Sequence, residues 1–215
     1  MKKLLLLFVL LLSSFFFGQS TTLNQPTNLN FVCDDNNDGF ASFYMQEISA
    51  EIIGQNSPNA YSVSHHLSQS DASSGANPLP DVYINITTGS QLVFARVLNI
   101  TSNQVDIIPY NLIVNPIPLV STYTVSVCES DVFLDGLTTS SPLSVYNTNF
   151  SNNNQNTVSY FHSQANAQTN VNPIITTTSY NNINPYQEVI FVRVQSSAGC
   201  FSISQLVILV QSCGA

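Results

Sequence analysis

The chain says the same thing twice. Residues 63–79 recur 95 positions later as residues 158–174, with Val63, Ser64, Ser68, Gln69, Ala72, Asn77 and Pro78 matched identically, 7 of 17 positions, and Cys33 falls on Cys128 at the same offset. Chance supplies about one match in such a window, so two copies of one unit follow each other. This limits the fold more than any other feature, because each copy of roughly 85 to 95 residues must complete its own core. The copies keep strand and turn positions while their polar residues drift. That is the pattern of a unit selected to extend and present a surface, not of one built around a reaction.

The ends of the chain bound its compartment. Lys2 and Lys3 precede the nearly unbroken apolar run Leu4 to Phe17, which has the form of an export signal over residues 1–18. A spanning helix needs about 20 apolar residues. Here polar Gly18, Gln19 and Ser20 follow at once, so the expectation is cleavage near residues 18–20 and no membrane insertion afterwards. Residues 19–30 read as a polar leader. Removing the signal takes both lysines with it and leaves twelve acids against Arg96 and Arg193, a mature net charge of −10. Such a chain cannot neutralise a phosphate backbone, so neither nucleic acid nor an anionic membrane surface is expected as a partner.

Short apolar bursts separated by turn residues predict strands at 61–67, 83–87, 91–99 and 107–114 in the first copy, and at 157–163, 188–195 and 202–211 in the second. The fold class is all-β: two tandem antiparallel sandwiches, repeat 1 over residues 31–116 and repeat 2 over residues 126–213, joined by a Pro-containing linker at 117–125. Ile190, Val192 and Val194 alternate with Phe191, Arg193 and Gln195, so the first set faces the core. Arg96 and Arg193 then lie on the opposite face, each expected to satisfy a local acid. One helix is expected where Tyr44, Ile48 and Ile52 make an apolar stripe opposite Glu47 and Glu51.

The sharpest chemical motif is Asp34-Asp35-Asn36-Asn37-Asp38-Gly39, the opening of a calcium loop in which Asp34, Asn36 and Asp38 would supply oxygens. Met45 stands where an EF-hand needs its bidentate glutamate, so a Ca²⁺ turn outside that family is weighed against a plain Asx turn. The second copy, Glu129 to Gly136, keeps acids and glycine at a different spacing. Adjacent His65 and His66 face opposite sides of a strand and cannot chelate one ion together. Four cysteines in an exported chain allow disulfides. Cys128 and Cys200 belong to the same repeat and are expected to pair, with Cys33 and Cys213 free or intermolecular. No serine-hydrolase elbow, zinc-protease helix, phosphate loop or dinucleotide fingerprint occurs, so no catalytic residue, no cofactor beyond a candidate Ca²⁺ and no enzyme is expected. Asn85, Asn99 and Asn149 match the N-glycan acceptor pattern.

Taken together, Val32-Cys33-Asp34 to Phe43, the Tyr/His strand with Ser68-Gln69 and Asn77-Pro78, Val93 to Val97, and their second copies Ile190 to Val194 and Gly199-Cys200-Phe201 resemble the repeat of large surface proteins of gliding and related Bacteroidota. The resemblance covers nearly all of residues 31–212. It implies immunoglobulin-like units strung in exported or cell-surface, adhesin-like proteins that often end in a sorting domain for type IX secretion. Ala215 comes without such a domain, so a fragment or a small secreted member is expected, with further repeats or a sorting domain as partners in the first case. The expected function is a non-enzymatic structural or adhesive module meeting extracellular surfaces. The alternative is an accessory carbohydrate-binding module, whose glycan ligand would stack on Tyr83, Tyr110, Tyr180 and Tyr186.

Overall fold

The computed structural model describes residues 22–129 and 134–213. The expected signal segment lies outside them, as do residues 19–21 and Asp131. The two copies fold alike. In repeat 1, β1 (Phe31–Asp34), β6 (Val105–Pro116), β5 (Ser90–Asn99) and β3 (Tyr61–His66) make one four-stranded sheet in that order, and β2 (Ser42–Tyr44) pairs with β4 (Val82–Ile84) in a small second sheet. In repeat 2 the same order recurs as β7 (Tyr123–Cys128), β12 (Phe201–Gln211), β11 (Gln187–Gln195) and β9 (Thr157–Phe161), with β8 (Thr139–Ser140) against β10 (Tyr180–Asn181). In each copy the first strand runs parallel to the last, while the remaining pairs are antiparallel. These are two tandem all-β immunoglobulin-like sandwiches.

Each copy closes its own core. Phe43, Ile48, Ile52, Val93, Ala95, Val97 and Leu112 are buried together in repeat 1, and Leu143, Tyr160, Ile190, Val192, Val194, Leu206 and Ile208 in repeat 2. The alternation along β11 works as expected, and full burial of a branched side chain is worth about 1.5–3 kcal/mol. The helical stripe forms α1 (Met45–Ile53), which covers the open side of the first sandwich with Ile48 and Ile52, although Tyr44 stays outside it and exposed. Where repeat 2 lacks that stripe, a 3₁₀ turn at Leu143–Tyr146 and the short α3 (Asn147–Phe150) bring Leu143 and Phe150 to the same task.

The duplicated Ser-Gln motif is a helix start. Ser68 and Ser163 cap α2 (Gln69–Ser74) and α4 (Gln164–Thr169), each hydroxyl accepting the backbone N–H three residues on. Six residues are too few to show a period, which is why the sequence pattern hides these helices. Both arginines serve these helices instead of acids: Arg96 donates to the carbonyls of Ala72 and Ser73 at 3.1 and 3.0 Å, and Arg193 to those of Ala167 and Gln168 at 3.0 and 3.1 Å. A cation at a helix C-terminus satisfies carbonyls that have no partner within the helix. Arg193 also lies 3.3 Å over the Phe201 ring, and burial lowers its pKa.

The segment read as a leader is docked. The Glu51 carboxylate accepts the backbone N–H groups of Thr27, Asn28 and Leu29 at 2.8, 3.0 and 3.0 Å, and Asn24 donates to the Ile52 carbonyl. Burial pushes the Glu51 pKa up, but those bonds outweigh it and the net shift is downward. Glu51, on the polar side of α1, is thus an anchor for the incoming chain.

Candidate functional site

The cysteines do not pair as expected. Cys33 is bonded to Cys200 and Cys128 to Cys213, and no described cysteine is free. Strand geometry explains why Cys128–Cys200 cannot form. Cys128 sits beside Gln211 at the far end of β12, whereas Cys200 immediately precedes the strand's first residue, Phe201. The two are separated by the length of an eleven-residue strand, about 35 Å, against the 4.4–6.8 Å between Cα atoms that a disulfide spans. Sharing a repeat is not sharing a pole of it.

Cys33 holds the matching position in repeat 1, opposite Asn115 near the end of β6 and hence at the end of the repeat from which the linker leaves. Cys200, in the β11–β12 turn, lies at the pole of repeat 2 that meets it, with 5.5 Å between the Cα atoms. The staple therefore crosses between sandwiches. In repeat 2 the corresponding strand cysteine is met by Cys213, two residues beyond β12. In repeat 1 the backbone just beyond β6 is held without a covalent bond: the Ile117 N–H donates to Asn37 Oδ1 at 2.9 Å, and Asn37 Nδ2 donates to the Ile117 carbonyl at 3.2 Å.

The loop carrying Asn37 is the one expected to hold calcium. The structure brings Asp34, Asn36 and Asp38 together and turns their oxygens onto the loop's own N–H groups. Asp34 Oδ2 accepts from Gly39 at 2.6 Å, Asn36 Oδ1 from Asp38 at 3.0 Å, and Asp38 Oδ1 from Phe40 at 2.8 Å. This is Asx-turn chemistry. Repeat 2 reproduces its key bond with a longer acid across a longer loop, Glu129 Oε1 accepting from Gly136 N–H at 2.6 Å. Gly39 and Gly136 adopt φ of +85° and +80°, and a Cβ on Gly136 would lie 2.5 Å from the Tyr186 nitrogen, so only glycine fits. Among the described residues, no group of three His, Cys, Asp or Glu side chains is arranged to hold a metal ion.

Below each loop lies a second element shared by the two copies, of which only Asn85 falls in a sequence motif. Asn85 accepts from Ala41 N–H and donates to the Gly39 and Thr87 carbonyls. Asn182 accepts from Thr138 N–H and donates to the Gly136 and Asn184 carbonyls. Asn85 is buried and fully engaged, so this acceptor-pattern asparagine is a structural clamp. Gln91 takes the Ile86 N–H and donates to the Tyr83 hydroxyl; Glu188 takes the Ile183 N–H and receives the Tyr180 hydroxyl. The signal was in the sequence at an offset of 97, two residues away from the offset of the longer match.

His65 and His66 are both buried and point to opposite faces. The His65 Nε2 lies 2.8 Å from the Ser49 hydroxyl and 3.1 Å from the Met45 carbonyl, and its Nδ1 lies 2.7 Å from the Tyr110 hydroxyl. His66 bonds the Ala76 carbonyl and the Ser64 hydroxyl. Burial pushes the His65 pKa down to about 4; the Met45 carbonyl works against this and the neighbouring His66 adds to it. The ring is a neutral member of a core network. Of the four tyrosines expected to stack on a glycan, Tyr83, Tyr110 and Tyr180 are core residues, and Tyr186 alone is exposed. They form no platform.

The profile of the Flavobacterium inter-domain disulphide bond domain matches residues 28–118 and again residues 124–213. No curated protein matches the chain. Among solved structures, human mucin-like protocadherin EC1-2 overlaps at 12% identity, over 73% of this chain and 86% of that one, with a TM-score of 0.26. Chicken VE-cadherin EC1-2 overlaps at 8% identity, over 85% and 97%, with a TM-score of 0.25. Zebrafish RET cadherin-like domains 1 to 4 overlap at 10% identity, over 90% and 50%, with a TM-score of 0.26. Superpositions this loose carry no functional weight.

Proposed function

The chain belongs to the Flavobacterium inter-domain disulphide bond domain family, with two copies in tandem, and on that premise we propose that it is an exported, non-enzymatic structural module that holds an adhesive surface in a restricted range of orientations outside the cell. The observation that carries this reading is the Cys33–Cys200 bond. It joins two sandwiches that each already possess a complete core, so its contribution is to their mutual placement. Two disulfides also suit an oxidising compartment, and among the described residues no helix is long and apolar enough to cross a membrane. Cell-surface attachment, type IX export and a link to gliding belong to the same proposal.

The test is attachment under flow. Cells lacking this chain should detach at lower shear than the parent, and the purified oxidised protein added in excess should compete for the surface. Turnover of a panel of glycoside, ester and peptide substrates would overturn the non-enzymatic reading. Tight binding of a soluble oligosaccharide with no change in attachment would replace it with the carbohydrate-binding alternative. Calcium at Asp34, Asn36 and Asp38 is a separate proposal. An ion there should raise the thermal midpoint of repeat 1 more than that of repeat 2, and equal or absent shifts would remove it.

A further inference from the structure

We infer that the two disulfides carry mechanical tension past the folded repeats, so that a pull between the two ends of the chain bypasses all of repeat 1 beyond Cys33 and most of repeat 2. The argument rests on connectivity and on where the bonds fall along the strands, and it holds whatever surface the protein contacts.

Tension entering at Cys33 has two routes. One is the backbone through β2 to β6, the linker and most of repeat 2. The other is the sulfur bridge, which delivers it to Cys200, 167 residues further along, in one step. From Cys200 the backbone reaches Cys213 through β12 alone. A force follows the shortest taut covalent route, and the longer one stays slack. Everything between Cys33 and Cys200 is therefore unloaded, including both hydrophobic cores except for β12.

The short route has almost no give. β12 is an extended strand of eleven residues at about 3.3 Å each, and a chain cannot be drawn beyond about 3.6 Å per residue. β12 is also the most firmly held strand of its sheet. It pairs with β11 over nine positions on one side and with β7 over six on the other. The Cys128–Cys213 bond closes a second loop of 85 residues. It adds nothing to the route while Cys33–Cys200 is intact, but it shields repeat 2 if that first bond is broken. The bonds are thus ranked: the inter-domain bond protects both repeats and the second is a reserve.

Single-molecule pulling on the full chain, with handles at its two ends and bond pairing verified by non-reducing mass mapping, tests this. The segment ahead of Cys33 contributes equally to every sample and cancels. Oxidised wild type is the reference length, and the C128S/C213S double variant should match it. The C33S/C200S double variant should extend further by about 300 Å, the contour of the backbone from Cys33 to Cys128, and fully reduced wild type by about 600 Å. If repeat 1 fails to fold without its bond, the 300 Å still appears, without a force peak. An oxidised wild type that lengthens by hundreds of ångströms, or a C128S/C213S variant that does so with its Cys33–Cys200 bond verified, overturns the inference.

Discussion

Acid should loosen repeat 1 before repeat 2, and the cause should be one imidazole. His65 is held neutral among Ser49, Met45 and Tyr110, with its folded pKa pushed down to about 4 from an ordinary 6.5. In the unfolded chain it protonates as pH falls through about 6.5 while the folded protein does not. Between those values the unfolded state binds the extra proton, so stability falls as pH falls, and the loss is complete once the folded pKa is passed. At 1.36 kcal/mol per pKa unit, lowering pH from 7.5 to 5 should cost repeat 1 about 2 kcal/mol, rising to about 3 kcal/mol near pH 4. Repeat 2 is an internal control, because Tyr160 stands in the place of His65 and donates its hydroxyl to Asn147 Oδ1 at 2.9 Å. Amide exchange along β5 and β11 reads the two cores separately in one sample. In His65→Gln, whatever its baseline, the difference between pH 7.5 and 5 at β5 should shrink to that seen at β11. Equal pH dependence of β5 in the wild type and in His65→Gln would refute the reasoning.

Two substitutions probe the duplicated clamps. Glu188→Gln should change the stability of repeat 2 by less than about 1 kcal/mol in chemical denaturation, because Gln91 already joins the matching N–H and tyrosine hydroxyl beneath repeat 1, with the hydroxyl bond reversed; a loss above about 3 kcal/mol would show that the charge itself, beside His162 at 3.7 Å, is needed. Arg193→Ala should cost repeat 2 about 2 kcal/mol and raise exchange across α4 first, through two lost bonds to carbonyls and the lost contact with Phe201; unchanged protection of α4 would count against the capping role.

The sequence exposed what is periodic and hid what is positional. Alternation through Ile190, Val192 and Val194 and the four-residue stripe through Ile48 and Ile52 are consequences of strand and helix pitch, and they can be counted along the chain. The pairing of β1 with β6 and of β7 with β12 joins the first strand of each unit to its last, and no local pattern announces so distant a ladder. The cysteines were legible only in part. Cys33 recurs as Cys128, but Cys200 has no counterpart in repeat 1, where Asn103 and Gln104 occupy the turn. A turn cysteine absent from one copy argues against a bond internal to the unit, whereas proximity in sequence argues for one. Only the strand's length decides between them. The arginines mislead for a related reason: a cation on the face away from the core suggests an acid, whereas both donate to the carbonyl ends of helices too short to show a period.

Two covalent ties join the sandwiches, the linker that leaves Pro116 and the bond at Cys33. A body attached at one point can swivel in any direction, but one attached at two can only rock about the line through them. The pair is therefore a door on two hinges, and a single proteolytic cut between Ile117 and Thr122 would leave it hanging from the other: one particle in native buffer, two pieces only after a thiol is added.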